Sequence, residues 1–199
     1  MPKARGSSPI FDEVADKAGL KFRHYNGMTG KFFLPEVMGA GAALFDFDND
    51  GDLDAFLVQG SVLESGDQPA RTLFPWPQAG EPRGRLFRND LAAGKDGSRS
   101  LRFTDVTEQS GIVANGYGMG ASVGDINNDG WPDLYLTNLG PNQMFLNNGD
   151  GTFADVTKKT GTDDTRWSTS AAFGDYDRDG WLDLMVVNYA DFSATHSPT

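Results

Sequence analysis

Asp125-Ile-Asn127-Asn-Asp129-Gly130-Trp131-Pro-Asp133 occurs in three versions within a chain of 199 residues. The other two read Asp46-Phe-Asp48-Asn-Asp50-Gly51-Asp52-Leu-Asp54 and Asp175-Tyr-Asp177-Arg-Asp179-Gly180-Trp181-Leu-Asp183. A second phrase recurs out of step with the first: Phe11-Asp-Glu-Val14 running to Gly19, Phe103-Thr-Asp-Val-Thr107 to Gly111, and Phe153-Ala-Asp-Val-Thr157 to Gly161. Both phrases advance by 50 residues between their last two copies, so the chain is a repeat with a unit of that length. The first unit is longer. Its excess falls before Asp46, between Asp46 and Phe87, and between Asn89 and Phe103.

Around the acidic phrase the apolar residues have the short spans and turn boundaries of strands. The second unit predicts four: strand A over Gly118–Gly124, B over Asp133–Asn138, C over Gln143–Asn147 and D over Thr152–Val156. Asn147-Asn-Gly-Asp-Gly151 joins C to D with the composition of a hairpin turn. Four short strands per unit predict an all-β chain of β-propeller blades, each of four antiparallel strands. The expected layout is a flexible N-terminus at 1–9 and a partial propeller over 10–199. Its units are 10–102 (with an inserted loop at 61–84), 103–152 and an incomplete 153–199. That makes about two and a half blades, with a D strand at Phe11 in front and only A and B strands at the end. A closed ring takes roughly four to eight blades. The expectation is therefore an incomplete ring, either the N-terminal part of a longer polypeptide whose remaining blades are missing or a ring assembled from several copies.

Carboxylates at alternate positions of a tight turn converge, and a glycine at the sixth place permits the positive φ that wraps the backbone around an ion. Twelve of the 23 Asp residues lie in these three loops. Side-chain ligands are assigned to positions 1, 3, 5 and 9: Asp46, Asp48, Asp50 and Asp54; Asp125, Asn127, Asp129 and Asp133; Asp175, Asp177, Asp179 and Asp183. Position 7, filled by Asp52, Trp131 and Trp181, would offer its carbonyl. An all-oxygen shell of this kind suits Ca2+, about three ions per chain, better than Mg2+, which resists dehydration. Three such ions would bring the net charge from -11 to -5. An EF-hand shares the first half of the pattern but needs a glutamate at position 12 between helices. Here that position holds Leu57, Leu136 and Val186.

Composition narrows the rest. Asp outnumbers Glu 23 to 5, which disfavours helix surfaces, and a pI near 4.5 disfavours nucleic acid and anionic membranes as partners. The longest apolar runs are too short to cross a bilayer, no apolar stretch follows the basic residues at the start, and the absence of Cys excludes disulfides. Gly120-Ala-Ser122-Val-Gly124 matches a nucleophile elbow, but Ser122 falls in a strand that leads into an acidic loop rather than on a strand-to-helix turn. The glycine stretches 39–41 and 116–120 lack the third glycine of a dinucleotide fingerprint at its required spacing and the helix that follows it, and are read as close strand packing at the propeller axis. His24 and His196 are read as loop or hydrogen-bonding residues, and Trp76, in the proline-rich insertion, as a candidate ligand contact.

At the acidic loops the sequence resembles the FG-GAP or VCBS repeat family. Phe103-Thr-Asp-Val-Thr-Glu-Gln-Ser-Gly-Ile112, His24-Tyr-Asn-Gly27 with Leu34-Pro-Glu36, and Asn188-Tyr-Ala-Asp-Phe192 are similar to the cartilage-acidic-protein group associated with ASPIC/UnbV modules. The resemblance implies a calcium-binding propeller in an extracellular or periplasmic location, without catalysis, that serves adhesion or binds a protein or glycan ligand. An alternative stays open: a scaffold or accessory domain of a larger secreted carbohydrate-active or oxidative enzyme.

Overall fold

Each acidic phrase sits between two strands that pair with each other, and this meander repeats along the chain. The structure is a computed structural model and describes residues 12–63, 72–77 and 80–191. The expected N-terminal segment at 1–9, the D strand at Phe11, parts of the 61–84 insertion, Phe192 and His196 lie outside the described residues.

The first sheet orders β1 (Ala42–Phe45), β2 (Asp54–Leu57), β3 (Arg85–Asn89) and β6 (Phe103–Asp105) side by side. The second orders β7 (Tyr117–Gly124), β8 (Asp133–Leu139), β9 (Gln143–Asn147) and β10 (Phe153–Asp155). The third pairs β11 (Ser168–Gly174) with β12 (Asp183–Asn188). Neighbours run antiparallel throughout, as FG-GAP-type propeller blades require, and the described residues form no closed ring. The sheets are offset from the sequence unit, because a strand D that opens a repeat closes the sheet of the blade before it. The excess between Asn89 and Phe103 is a small ribbon of β4 (Ala92–Ala93) and β5 (Arg99–Ser100).

The repeated phrase that begins at Phe103 and Phe153 holds more than the strand expected from it. After β6 and β10 the chain turns through one turn of helix, α2 (Thr107–Ser110) and α3 (Thr157–Thr160), and α1 (Ala15–Ala18) is the equivalent turn at the front. Each ends on a left-handed glycine, Gly19, Gly111 or Gly161, the usual helix stop. Four residues are too few to show a helical period, so the sequence pattern does not reveal them. The threonine explains the phrase. Thr107 N–H and hydroxyl donate to Asp105 Oδ1, and its Oγ1 accepts from Leu86 N–H of β3 at 2.9 Å. Thr157 repeats this with Asp155 and Met144.

Packing follows from stacking blades face to face. Phe45, Phe56 and Leu86 of the first sheet meet Leu134, Leu136 and Phe145 of the second in one buried cluster. Strand β8, flanked by both other sheets, is buried at every position from Asp133 to Asn138. Strand β12 has the same kind of sequence but alternates between exposed and half-buried.

Where β7 meets its neighbours in the first and third sheets, the close approaches fall at glycines. A bulge at Met119 frees its carbonyl, which accepts Gly41 N–H from the neighbouring blade at 2.9 Å. A Cβ on Gly41 would lie 2.9 Å from Gly120 Cα, and one on Gly120 3.0 Å from the carbonyl oxygen of Thr169 on β11. Gly39, in contrast, has open space around it. Gly41→Ala should therefore cost roughly 1–3 kcal/mol by overpacking, and Gly39→Ala close to nothing. Urea unfolding of the two variants checks this contrast.

Candidate functional site

All three acidic loops fold alike. Position 1 caps the turn: Asp46 Oδ1 accepts Asp50 N–H at 3.1 Å and Oδ2 accepts Gly51 N–H at 2.9 Å. Asp125 and Asp175 make the same two bonds in their own loops. Position 5 holds the N–H of position 7, with Asp52, Trp131 and Trp181 donating to Asp50, Asp129 and Asp179 at 2.8–2.9 Å. Gly51, Gly130 and Gly180 have φ near 90°, where a side chain would be strained. Position 4 is also left-handed, in Asn49, Asn128 and Arg178. Asparagine tolerates that region well, and arginine less so.

In the first and third copies three of the four assigned side chains gather, without Asp54 and Asp179 respectively. Carboxylate oxygens of Asp46, Asp48 and Asp50 lie within 4.8 Å of one another, as do those of Asp175, Asp177 and Asp183. In the second loop Asn127 turns its amide onto Asp129 Oδ2 at 2.8 Å. Asp48 Oδ1 is shielded from solvent and has no hydrogen-bond partner. Burial, reinforced by the charges of Asp50 and Asp46, pushes the Asp48 carboxyl above the ordinary carboxylate range. A shielded oxygen without a donor, inside a ring of like charges, fits a hard cation; these residues could hold one.

Position 9 has a role that sequence reasoning missed. Asp54 is fully buried. Its Oδ2 accepts Phe47 N–H at 3.0 Å and its Oδ1 accepts Asn89 N–H, at the end of β3, at 2.8 Å. Asp133 does the same with Ile126 and Asn147. Each carboxylate thus clasps its loop to the third strand of its own sheet while keeping spare lone pairs for a ligand. In the third copy Asp183 Oδ2 accepts Tyr176 N–H at 2.9 Å, and the residue is exposed.

The loops are also joined to each other. Asn49 Nδ2 donates to the carbonyl of Gly130 in the next loop at 3.0 Å, and Asn128 Nδ2 to that of Gly180 at 2.9 Å. Asn147 Nδ2 reaches back to the carbonyl of Phe47 at 2.8 Å. The recurrence of Asn at position 4 was the available signal. Trp131 packs against Gly149 in the C-to-D hairpin of its own blade. Ser122 lies within β7 opposite Tyr135, without the geometry of an elbow.

Sheets and loops together define an all-β repeat protein with an acidic loop between the first two strands of each blade. Residues 125–186 match the FG-GAP-like repeat, and the antiparallel sheets fit a domain built of such repeats. No curated protein matches the chain. Among the described residues no helix is long and apolar enough to cross a membrane.

Two measurements test the site. Asn128→Gly keeps the left-handed φ without strain and removes only the link to Gly180, so it should cost about 1 kcal/mol in chemical denaturation. Burial pushes the Asp54 carboxyl up to about 6, against the hydrogen bonds from Asn89 and Phe47 that lower it. In chelator the folded state then holds this proton more tightly than the unfolded chain, so Asp54 loses stability as pH rises from about 4 to about 6. With a bound dication the ionised form is favoured and the slope changes sign. Melting temperatures across that window, with and without calcium, check both signs.

Proposed function

We propose that this chain is a calcium-binding, non-enzymatic repeat scaffold that presents a protein or glycan ligand surface outside the cytoplasm, with its ions held by the three acidic loops. FG-GAP repeats often bind calcium, occur typically in extracellular proteins and are generally non-catalytic scaffolds, which supports the reading. The observation that carries it is the Asp46–Asp48–Asp50 trio with the shielded, unpartnered Asp48 Oδ1. Asp175, Asp177 and Asp183 form the second trio, and Asp125, Asn127, Asp129 and Asp133 supply the corresponding oxygens in the middle loop. Two segments on which the finer resemblance to the cartilage-acidic-protein group rests, 24–27 and 34–36, are bonded to each other and to Tyr117. Asn26 Nδ2 donates to the Glu36 carbonyl at 2.6 Å, and Tyr117 hydroxyl lies 2.7 Å from the Asn26 carbonyl and 3.1 Å from that of Pro35.

The ion's part is to neutralise each loop, so that the carboxylates ligate instead of repelling one another. The protein's own part is positional: the capping bonds of position 1 and the clasp of position 9 hold the oxygens on the loop before any ion arrives. The enzyme-scaffold alternative draws less support. Among the described residues, the carboxyls that burial raises, Asp48, Asp54 and Asp133, all belong to the acidic loops, whereas Trp76 packs with Tyr25 on a different part of the first blade.

Equilibrium dialysis should give about three calcium ions per chain, and excess chelator should lower the melting temperature by more than about 10 °C. Asp48→Asn should weaken one ion at least tenfold. Unchanged melting in chelator would refute the proposal.

A further inference from the structure

The end of the first blade away from its acidic loop carries a second polar feature. Strand β2 starts at Asp54 beside the loop and runs to Leu57, which pairs with Arg85; Gln59 follows two residues later. Gln59 is buried and laces a preceding segment onto this end. Its Oε1 accepts Tyr25 N–H at 2.6 Å and its Nε2 donates to the Arg23 carbonyl at 3.0 Å. Tyr25 in turn fixes the insertion: its hydroxyl donates to Thr72 Oγ1 at 3.1 Å, and its ring meets Trp76 edge to face at 5.7 Å. Leu73 N–H donates to the Met28 carbonyl at 2.8 Å.

Two adjoining cavities flank the Arg23–Trp76 pair. One, of about 210 Å³, is lined by Lys21, Arg23, Arg85 and Asp105 beside Gln59. The other, of about 200 Å³, is lined by Tyr25, Phe74, Pro75, Trp76 and Pro77 beside Arg23. Among the described residues neither Lys21 nor Arg23 makes an ion pair, while Arg85 Nη1 lies 3.6 Å from Asp105 Oδ2 and 4.0 Å from Glu108 Oε1. Trp76 Nε1 is shielded from solvent and has no acceptor among the described residues. In a chain of net charge -11, unpaired cations beside an unused indole donor and an aromatic platform mark a place for an anion with a flat, partly apolar body.

We propose that this double cavity binds a uronic-acid-containing oligosaccharide: the sugar ring faces Trp76 and the prolines, its carboxylate meets Arg23 and Lys21, and its hydroxyls donate toward Asp105. The Asp105 carboxylate, which lines the cavity among the cations, is what separates this ligand from an acidic peptide. Asp105 repels a run of carboxylates but accepts from the hydroxyls that accompany each uronate. The inference deepens the ligand-binding half of the function proposed above and is independent of its calcium half.

Titration calorimetry with short galacturonate oligomers at fixed free calcium tests it on the full chain. The expected result is saturable binding, lost on methyl esterification of the oligomer and weakened at least tenfold in Arg23→Gln. Trp76→Phe, which keeps a ring and removes the N–H, should weaken it several-fold, with the calcium-dependent melting shift unchanged in both variants. No binding, equal binding of the esterified oligomer, tighter binding of a sulfated oligosaccharide or of a poly-aspartate peptide, or indifference to Arg23→Gln would each overturn it. Uronate binding without any calcium shift would support it and count against the calcium scaffold alone.

Discussion

One buried carboxylate in each of the first two blades governs how the acidic loop and the sheet fit together. Asp54 and Asp133 each take one N–H from the start of the loop and one from the end of the third strand. Without such a clasp the loop would be a mobile turn over two strands. With it, the residues at positions 1, 3 and 5 sit at a fixed height above the sheet. Burial makes the arrangement costly for a charged group, and two charge-assisted hydrogen bonds offset that cost in part. The remainder is what a cation would relieve.

The same clasp shows why the third blade differs. Asp183 holds its own loop, yet no third-strand N–H reaches it among the described residues, and it is exposed where its counterparts are buried. Met185 and Val187 of β12 are 70 % and 51 % exposed, whereas β8 is flanked by sheets on both sides. Burial in this architecture is thus a property of a strand's neighbours more than of its own sequence.

Much of this was legible in the chain. The boundaries of β9 and β12 follow the turn residues around them, and position 6 had to be glycine because its φ is near 90°. The approach of Gly41 to Gly120 fits the reading of those glycines as close strand packing. What stayed hidden acts across the sequence. The bond from Asn49 to Gly130 spans 81 residues and that from Asn147 to Phe47 spans 100, and no local period encodes either. The second duty of position 9 was masked by its first, since an aspartate suits a ligand and a backbone clasp equally. Trp76 stood out as an aromatic residue in a proline-rich loop, but its unused N–H and its proximity to Arg23 required coordinates.

The asparagine links give the array a polarity. Asn49 leans on the second loop and Asn128 on the third, each through the carbonyl of the glycine at position 6, so each of the first two acidic turns is a donor to its successor. Arg178 occupies the donor position of the third loop, with a longer and permanently charged arm. A cation in one turn would stiffen the oxygen on which the previous turn hangs. Linkage makes such coupling reciprocal, so if the turns take cations, ordering any one of them would steady the turns joined to it, and the array would respond to a rising ion concentration more abruptly than three isolated turns.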